Sequence, residues 1–133
     1  MMQNPAEIWH RVANKDASAI AAVLHEQCVF ESPVVHTPQR GKKITAAYLI
    51  SAGQILGNEN FRYIGEWHSG NPSKNSAILE FETEIDGVKI NGVDMVTCDD
   101  AGLITHFKVM IRPLKAINIV HQKMAEMLEK IKP

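Results

Sequence analysis

Apolar positions along this chain keep two different periods, and the change between them falls at about Phe61. Before it they recur at the spacing of one helix face. Asn4-Pro5-Ala6-Glu7 is a helix start, with Asn to cap, Pro at the first helical position and Glu7 placed for a capping box. Ile8, Trp9, Val12 and Ala13 continue it as a stripe. Asp16 caps a second predicted helix with Ile20, Val23 and Leu24 on one face. Cys28 to Ser32 reads as a short strand, and Pro33 and Pro38 bracket a loop from Val34 to Arg40. A third helix is predicted from about Gly41 to Leu56, ended by Gly57, with Ile44, Ala47, Tyr48, Ser51, Ala52 and Ile55 on one side.

After Phe61 the pattern alternates. Phe61 to His68, Ser76 to Ile85, Val88 to Cys98 and Leu103 to Arg112 are predicted strands, separated by the turn clusters Gly70-Asn71-Pro72-Ser73, Asp86-Gly87 and Asp99-Asp100-Ala101-Gly102. Pro113 opens a last helix with Ile117, Val120, Met124, Leu128 and Ile131 on one stripe. Hairpin-joined strands are antiparallel, and helices then cover one face of the sheet, so the class is α+β.

Asp86-Gly87 is a strong two-residue hairpin signal, and it fixes a register. Ile85 sits opposite Val88, Thr83 opposite Ile90, Phe81 opposite Gly92 and Leu79 opposite Asp94. Side chains alternate between faces. One face is therefore apolar, built from these residues and Val96, while the other carries Glu80, Glu82, Glu84, Lys89 and Asn91. In the last strand Phe107, Val109 and Ile111 share one parity, with His106, Lys108 and Arg112 on the other. The glutamates are expected to pair loosely with Lys89, Lys108 or Arg112, at about 0–1 kcal/mol each.

Composition narrows the function classes. The formal net charge is −1 over 133 residues, without a clustered basic face, so no nucleic-acid footprint is expected. Met1 to Glu7 is polar and does not read as a signal peptide. Charges interrupt every long apolar stretch, so no membrane span is expected. Cys28 and Cys98, the only cysteines, read as core thiols. The expectation is a single cytoplasmic domain over residues 1–133.

Asp94 breaks the apolar face. A carboxylate there must be hydrogen-bonded, paired or protonated, and desolvation raises its pKa. It is either a functional acid in a cleft, a structural aspartate tied to a loop, or a residue that a one-position register slip would put outside. His36, in the loop between the two prolines, is an acid or base working with Asp94, or a plain surface histidine. Ser32 either hydrogen-bonds a ligand or caps the loop that follows it. Trp9, Tyr48, Phe81 and Phe107 are candidate lining residues, or ordinary core. Val34, Val96, Val109 and Ile111 complete the expected apolar lining. The other histidines show no ligand spacing, and Glu80, Glu82 and Glu84 lie in line on one strand without matched histidines. No metal is expected. There is no glycine-rich phosphate loop, G-x-S-x-G elbow or Cys-His pairing, and no cofactor is expected.

Two stretches taken together carry a family resemblance. The first is Asp16 to Gly41, with Phe30-Glu31-Ser32-Pro33-Val34-Val35-His36-Thr37-Pro38-Gln39-Arg40-Gly41 inside it. The second is Gly92-Val93-Asp94-Met95-Val96 with Asp99-Asp100-Ala101-Gly102-Leu103-Ile104, running on to Ile111. They resemble the nuclear-transport-factor-2-like superfamily, particularly its SnoaL-like and ketosteroid-isomerase-like branch. The resemblance implies a cone: a strongly curved antiparallel sheet packed on N-terminal helices around a central pocket, also described as a cystatin-like roll. It implies a homodimer as well.

Members include isomerases, cyclases, epoxide hydrolases, dehydratases and non-catalytic modules, so the fold alone does not name a reaction. Ketosteroid isomerase combines an aspartate base with a tyrosine and a protonated aspartic acid as oxyanion donors. By resemblance, Asp94 stands at the protonated acid, Ser32 at the base, and Ile8 near the tyrosine position with Trp9 beside it. A serine needs its own activating base to move a proton near neutral pH. The implied function is binding of a small, mainly apolar molecule, with cofactor-free isomerisation, cyclisation or dehydration through Asp94, assisted by His36 and Ser32. The alternative is a non-catalytic ligand-binding or dimerisation module.

Overall fold

In the computed structural model, which describes residues 4–13, 15–71 and 73–130, the first helix, α1 (Pro5–Val12), begins at the predicted cap. The Asn4 side chain accepts from the backbone N–H groups of Ala6 and Glu7. Asp16 caps α2 (Ala17–Ala22) through the Ala19 N–H. This helix ends sooner than expected, and Leu24 opens β1 (Leu24–Glu31) instead of closing a helical face. The predicted loop contains a two-residue strand, β2 (Gln39–Arg40), paired antiparallel with Val29 and Phe30.

Gly41 then takes φ +112°, a left-handed value that favours glycine, and leads into α3 (Lys42–Leu56). The buried side of α3 is centred on Thr45, Leu49, Ser51, Ile55 and Leu56. The expected face is thus turned by about one position, and Ile44 is left 38% exposed. The cause is tertiary: α3 packs on β1 and α2 at once, so spacing alone did not choose the buried side.

The remaining strands are β3 (Arg62–His68), β4 (Ser76–Ile85), β5 (Val88–Cys98) and β6 (Ile104–Arg112), followed by α4 (Leu114–Lys130). Pro72 of the turn cluster and Ile131 of the last helical stripe lie outside the described residues. The six strands form one curved, open sheet in the order β2-β1-β6-β5-β4-β3. Every pair is antiparallel except β1 with β6, which run parallel. This corrects the all-antiparallel expectation. It also explains the early start of β1, because Leu24 pairs with Ile104 and the Val23 carbonyl accepts from the Ile104 N–H.

The β4–β5 hairpin has the expected register at all four predicted pairs. Asp86 and Gly87 both have positive φ, at 49° and 80°, as a mirror-image two-residue turn requires. Gly92 is needed for packing: a Cβ there would lie 2.6 Å from both the Met110 carbonyl oxygen and the Phe81 ring.

The inner face of β4, β5 and β6 is buried under the helices, with Phe81, Val96 and Phe107 almost wholly enclosed. The outer face is less uniformly charged than expected. Glu82 pairs with Arg62, and Glu80 accepts from Asn91, instead of the predicted Lys89, Lys108 or Arg112. Across the registers Trp67, Ile78 and Met95 form one apolar row, and Val93 and Met110 another beside it. No helix among the described residues is long and apolar enough to cross a membrane.

Candidate functional site

Between the inner sheet face and the helices lies a cavity of about 500 Å³, within the range of small-molecule sites. Trp9 of α1, Phe81 of β4, and Phe107, Val109 and Ile111 of β6 form its apolar walls. The exposed lining residues are Lys15, Asp16 and Ala17 on one side and Gly53, Gln54 and Gly57 on the other, so the mouth opens between the start of α2 and the end of α3. Buried Val120 and Met124 of α4 also line the cavity, which makes this helix a wall of the site.

Asp94 projects into this lining from β5, between Leu79 on one neighbouring strand and Val109 on the other. It is only 8% exposed. The Tyr63 hydroxyl donates to Asp94 Oδ2 at 2.6 Å, and the Trp9 indole N–H donates to Tyr63 Oη at 2.9 Å. Burial pushes the Asp94 carboxyl up to about 7, opposed by the hydrogen bond from Tyr63, which favours the ionised form. The Tyr63 phenol is raised above its ordinary range by burial and by the neighbouring carboxylate, so it remains a donor. No described group donates to Asp94 Oδ1, and no described buried side-chain oxygen lacks a partner. Oδ1 is therefore the carboxyl atom open to the cavity.

Of the predicted site residues, Asp94, Ser32, Trp9, Phe81, Phe107, Val109 and Ile111 are brought together around this space. Ser32 Oγ accepts from the Val34 N–H at 3.1 Å, capping the loop, and keeps its hydroxyl hydrogen. His36 is exposed on that loop and is not among the lining residues, so it is not brought to Asp94. Val34, Tyr48 and Val96 are also absent from the lining. Tyr48 stacks on Phe30 with ring centroids 5.2 Å apart, and Val96 is sealed in the core.

Sequence reasoning missed Tyr63. The resemblance puts the tyrosine position on the first helix, near Ile8 and Trp9, but the hydroxyl comes from β3 and α1 supplies only the indole N–H. Tyr63 pairs with Phe81 and so shares the inner face. A bulge between Tyr63 and Gly65 then reverses parity, turning Glu66 and His68 toward the helix side. There His10 and His68 both hydrogen-bond Glu66, at 3.2 and 2.7 Å, and the His10 ring meets the Tyr63 ring edge-on. No group of His, Cys, Asp or Glu among the described residues is arranged to hold a metal ion.

No family model matches the sequence, and no curated protein does. Solved structures do. A steroid delta-isomerase from Pseudomonas aeruginosa is similar at 29% identity and TM-score 0.86, over 97% of this chain and 95% of that one. An uncharacterized protein conserved in bacteria with a cystatin-like fold, from Silicibacter pomeroyi DSS-3, is 30% identical with TM-score 0.84, over 98% of this chain and 89% of that one. An NTF2-like protein of unknown function from Mesorhizobium loti shares the fold at 19% identity and TM-score 0.66, over 83% and 92%. With the curved sheet, the hairpin register and this likeness over nearly its whole length, the chain belongs to the nuclear-transport-factor-2-like superfamily, in its SnoaL-like and ketosteroid-isomerase-like branch.

Proposed function

We propose that this protein binds a small, mainly apolar molecule in the cavity and moves a proton on it without a cofactor, in an isomerisation, cyclisation or dehydration. The carrying observation is a single carboxyl group, Asp94, fixed by Tyr63 in an otherwise apolar wall with its second oxygen open to the cavity. Ser32 cannot serve as a second base without an activating partner, so one carboxyl group must both take and return the proton. A midpoint near neutrality suits that double role, because both protonation states are populated. Ser32 keeps a hydrogen to donate to a ligand oxygen. His36, outside the lining, takes no part in this reading. A cytoplasmic location belongs to it, in keeping with the buried free thiols of Cys28 and Cys98.

The likeness to a steroid delta-isomerase makes a β,γ-unsaturated ring ketone the first compound to try. In that reaction the Asp94 carboxylate would take a proton from the carbon between carbonyl and alkene. The electron pair would move into the dienolate, and the same carboxyl would return the proton at the far alkene carbon, leaving the conjugated ketone. Absorbance of the conjugated product follows turnover. Asp94→Asn should lower it by about 10²–10⁴-fold. Binding is read separately from Trp9 fluorescence in a Trp67→Phe background. Unchanged turnover in Asp94→Asn would remove Asp94 from the chemistry.

A second observation favours pairing with another copy of the chain. The apolar rows on the outer face are flanked by acids on β4 and by Lys108 and Arg112 on β6. A two-fold axis along β5 would lay β4 of one copy over β6 of the other, with Glu82 against Arg112 and Met95 against Met95. An axis across the strands would oppose acid to acid. The homodimer we propose uses the first arrangement.

A further inference from the structure

The hydrogen bonds around Asp94 have a direction that can be worked out from the donors alone. An indole nitrogen has a hydrogen to give and no lone pair to accept with, so the 2.9 Å contact between Trp9 Nε1 and Tyr63 Oη is donated by Trp9. Tyr63 then has one hydrogen of its own, and the 2.6 Å contact to Asp94 Oδ2 is the described acceptor for it. If protonated Asp94 donated to Tyr63 instead, the tyrosine hydrogen would be left without a described acceptor in a half-buried position, which is the less favourable arrangement. Protonated Asp94 therefore carries its hydrogen on Oδ1.

We infer that Trp9 is a positioning residue of this site: by donating to Tyr63 it directs the tyrosine hydrogen onto Asp94 Oδ2, and so places the acid hydrogen of Asp94 on the cavity-facing Oδ1. The inference deepens the proposed acid–base reading and rests on it, giving Trp9 a role beyond wall packing. Cooperativity along the chain strengthens the Tyr63 bond as well, since a hydroxyl that accepts a hydrogen bond donates a stronger one. The chain stops at Trp9, whose ring otherwise packs edge-on against Phe107 at 4.7 Å.

Few other charges compete. The remaining ionisable lining groups, Lys15 and Asp16, are exposed at the mouth, and Asp16 is held by Ser18 and Ala19. His10 meets the ring of Tyr63, and its own partner is Glu66 on β3.

The test is a double-mutant cycle read on the side-chain carboxyl ¹³C titration of Asp94, assigned by its loss in Asp94→Asn. Trp9→Phe keeps a ring against Phe107 but removes the donor, and should raise the Asp94 midpoint by about half a pH unit. Tyr63→Phe should raise it further. Adding Trp9→Phe to Tyr63→Phe should then change nothing, because the effect of Trp9 passes through Tyr63. If Trp9→Phe does not fold, benzothienyl-alanine at position 9, in a Trp67→Phe background, removes only the N–H. An unmoved midpoint in the donor-less protein, or an equal movement with and without Tyr63, would overturn the inference.

A ligand pair separates this failure from failure of the underlying reading. At about pH 5.5, where Asp94 is mostly protonated, 1-tetralone should bind about five- to tenfold tighter than tetralin. Read as the ratio of the two Kd values within one variant, so that changes in wall packing cancel, the preference should vanish in Asp94→Leu and be partly lost in Trp9→Phe. Loss in Asp94→Leu but not in Trp9→Phe overturns only the role of Trp9. Retention in Asp94→Leu, or absence from the unaltered protein, overturns the acid role of Asp94 itself and the inference with it.

Discussion

Asp94 makes the protein's stability depend on pH in a direction opposite to that of most carboxylates. Its folded midpoint of about 7 stands above the reference value of 3.8, so the native state holds the proton longer than the unfolded chain does. Unfolding therefore releases a proton between those values, and stability falls as pH rises through that window. The penalty is absent below the unfolded value and complete above the folded one, at roughly 4 kcal/mol. Asp94→Asn keeps an acceptor for Tyr63 and has no charge to bury. Urea denaturation should find it about as stable as the unaltered protein near pH 4 and more stable by up to that amount near pH 8. Parallel stability profiles for the two proteins would show that Asp94 is not buried as described.

At the scale of elements, the β4–β5 hairpin carries Phe81 and Asp94 into the site, and Gly92 is its most crowded position. A methyl group at that position meets backbone on one side and the Phe81 ring on the other. Gly92→Ala should cost about 1–3 kcal/mol in denaturant unfolding and drive Phe81 into the cavity, weakening ligand binding. A variant with unaltered stability would mean that β5 can shift away from β6 at this point.

The same hairpin was legible from the residues alone because Asp86-Gly87 sets both turn type and register, and register sets which residues face inward. Asp94 stood out for that reason. Tyr63 did not, because the turn from β3 to β4 has no comparable length signal and the bulge at Ile64 breaks alternation just beyond it. The start of β1 was hidden because Leu24 is held by Ile104, a partner far along the chain, and its neighbours His25, Glu26 and Gln27 show no alternation. Ser32 and His36 each left two readings open; Ser32 caps its loop while lying along the wall, and His36 stays outside it on that loop.

For the whole molecule, the homodimer we propose rests on the outer sheet face. Trp67 and Met110, 54% and 49% exposed, are large apolar groups to leave in water on a lone chain. Met95→Asp puts a charge at the centre of the proposed interface and should turn a dimer into a monomer by light scattering. Arg112→Glu should weaken association about tenfold or more, and Glu82→Arg added to it should restore much of the loss. If all three proteins have the same mass as the unaltered one, this face does not pair.

The place of β6 has a consequence for how the chain acquires its shape. It follows every other strand in sequence, yet it lies between β1 and β5 in the sheet. As the chain emerges during synthesis, β1 has only the two residues of β2 to pair with, and β4 and β5 can close their hairpin but cannot join β1. The pocket has no complete wall until β6 inserts, bringing Phe107, Val109 and Ile111 with it. Folding must wait for distant segments to meet, an ordering that slows the search and leaves the early strands for chaperones to guard.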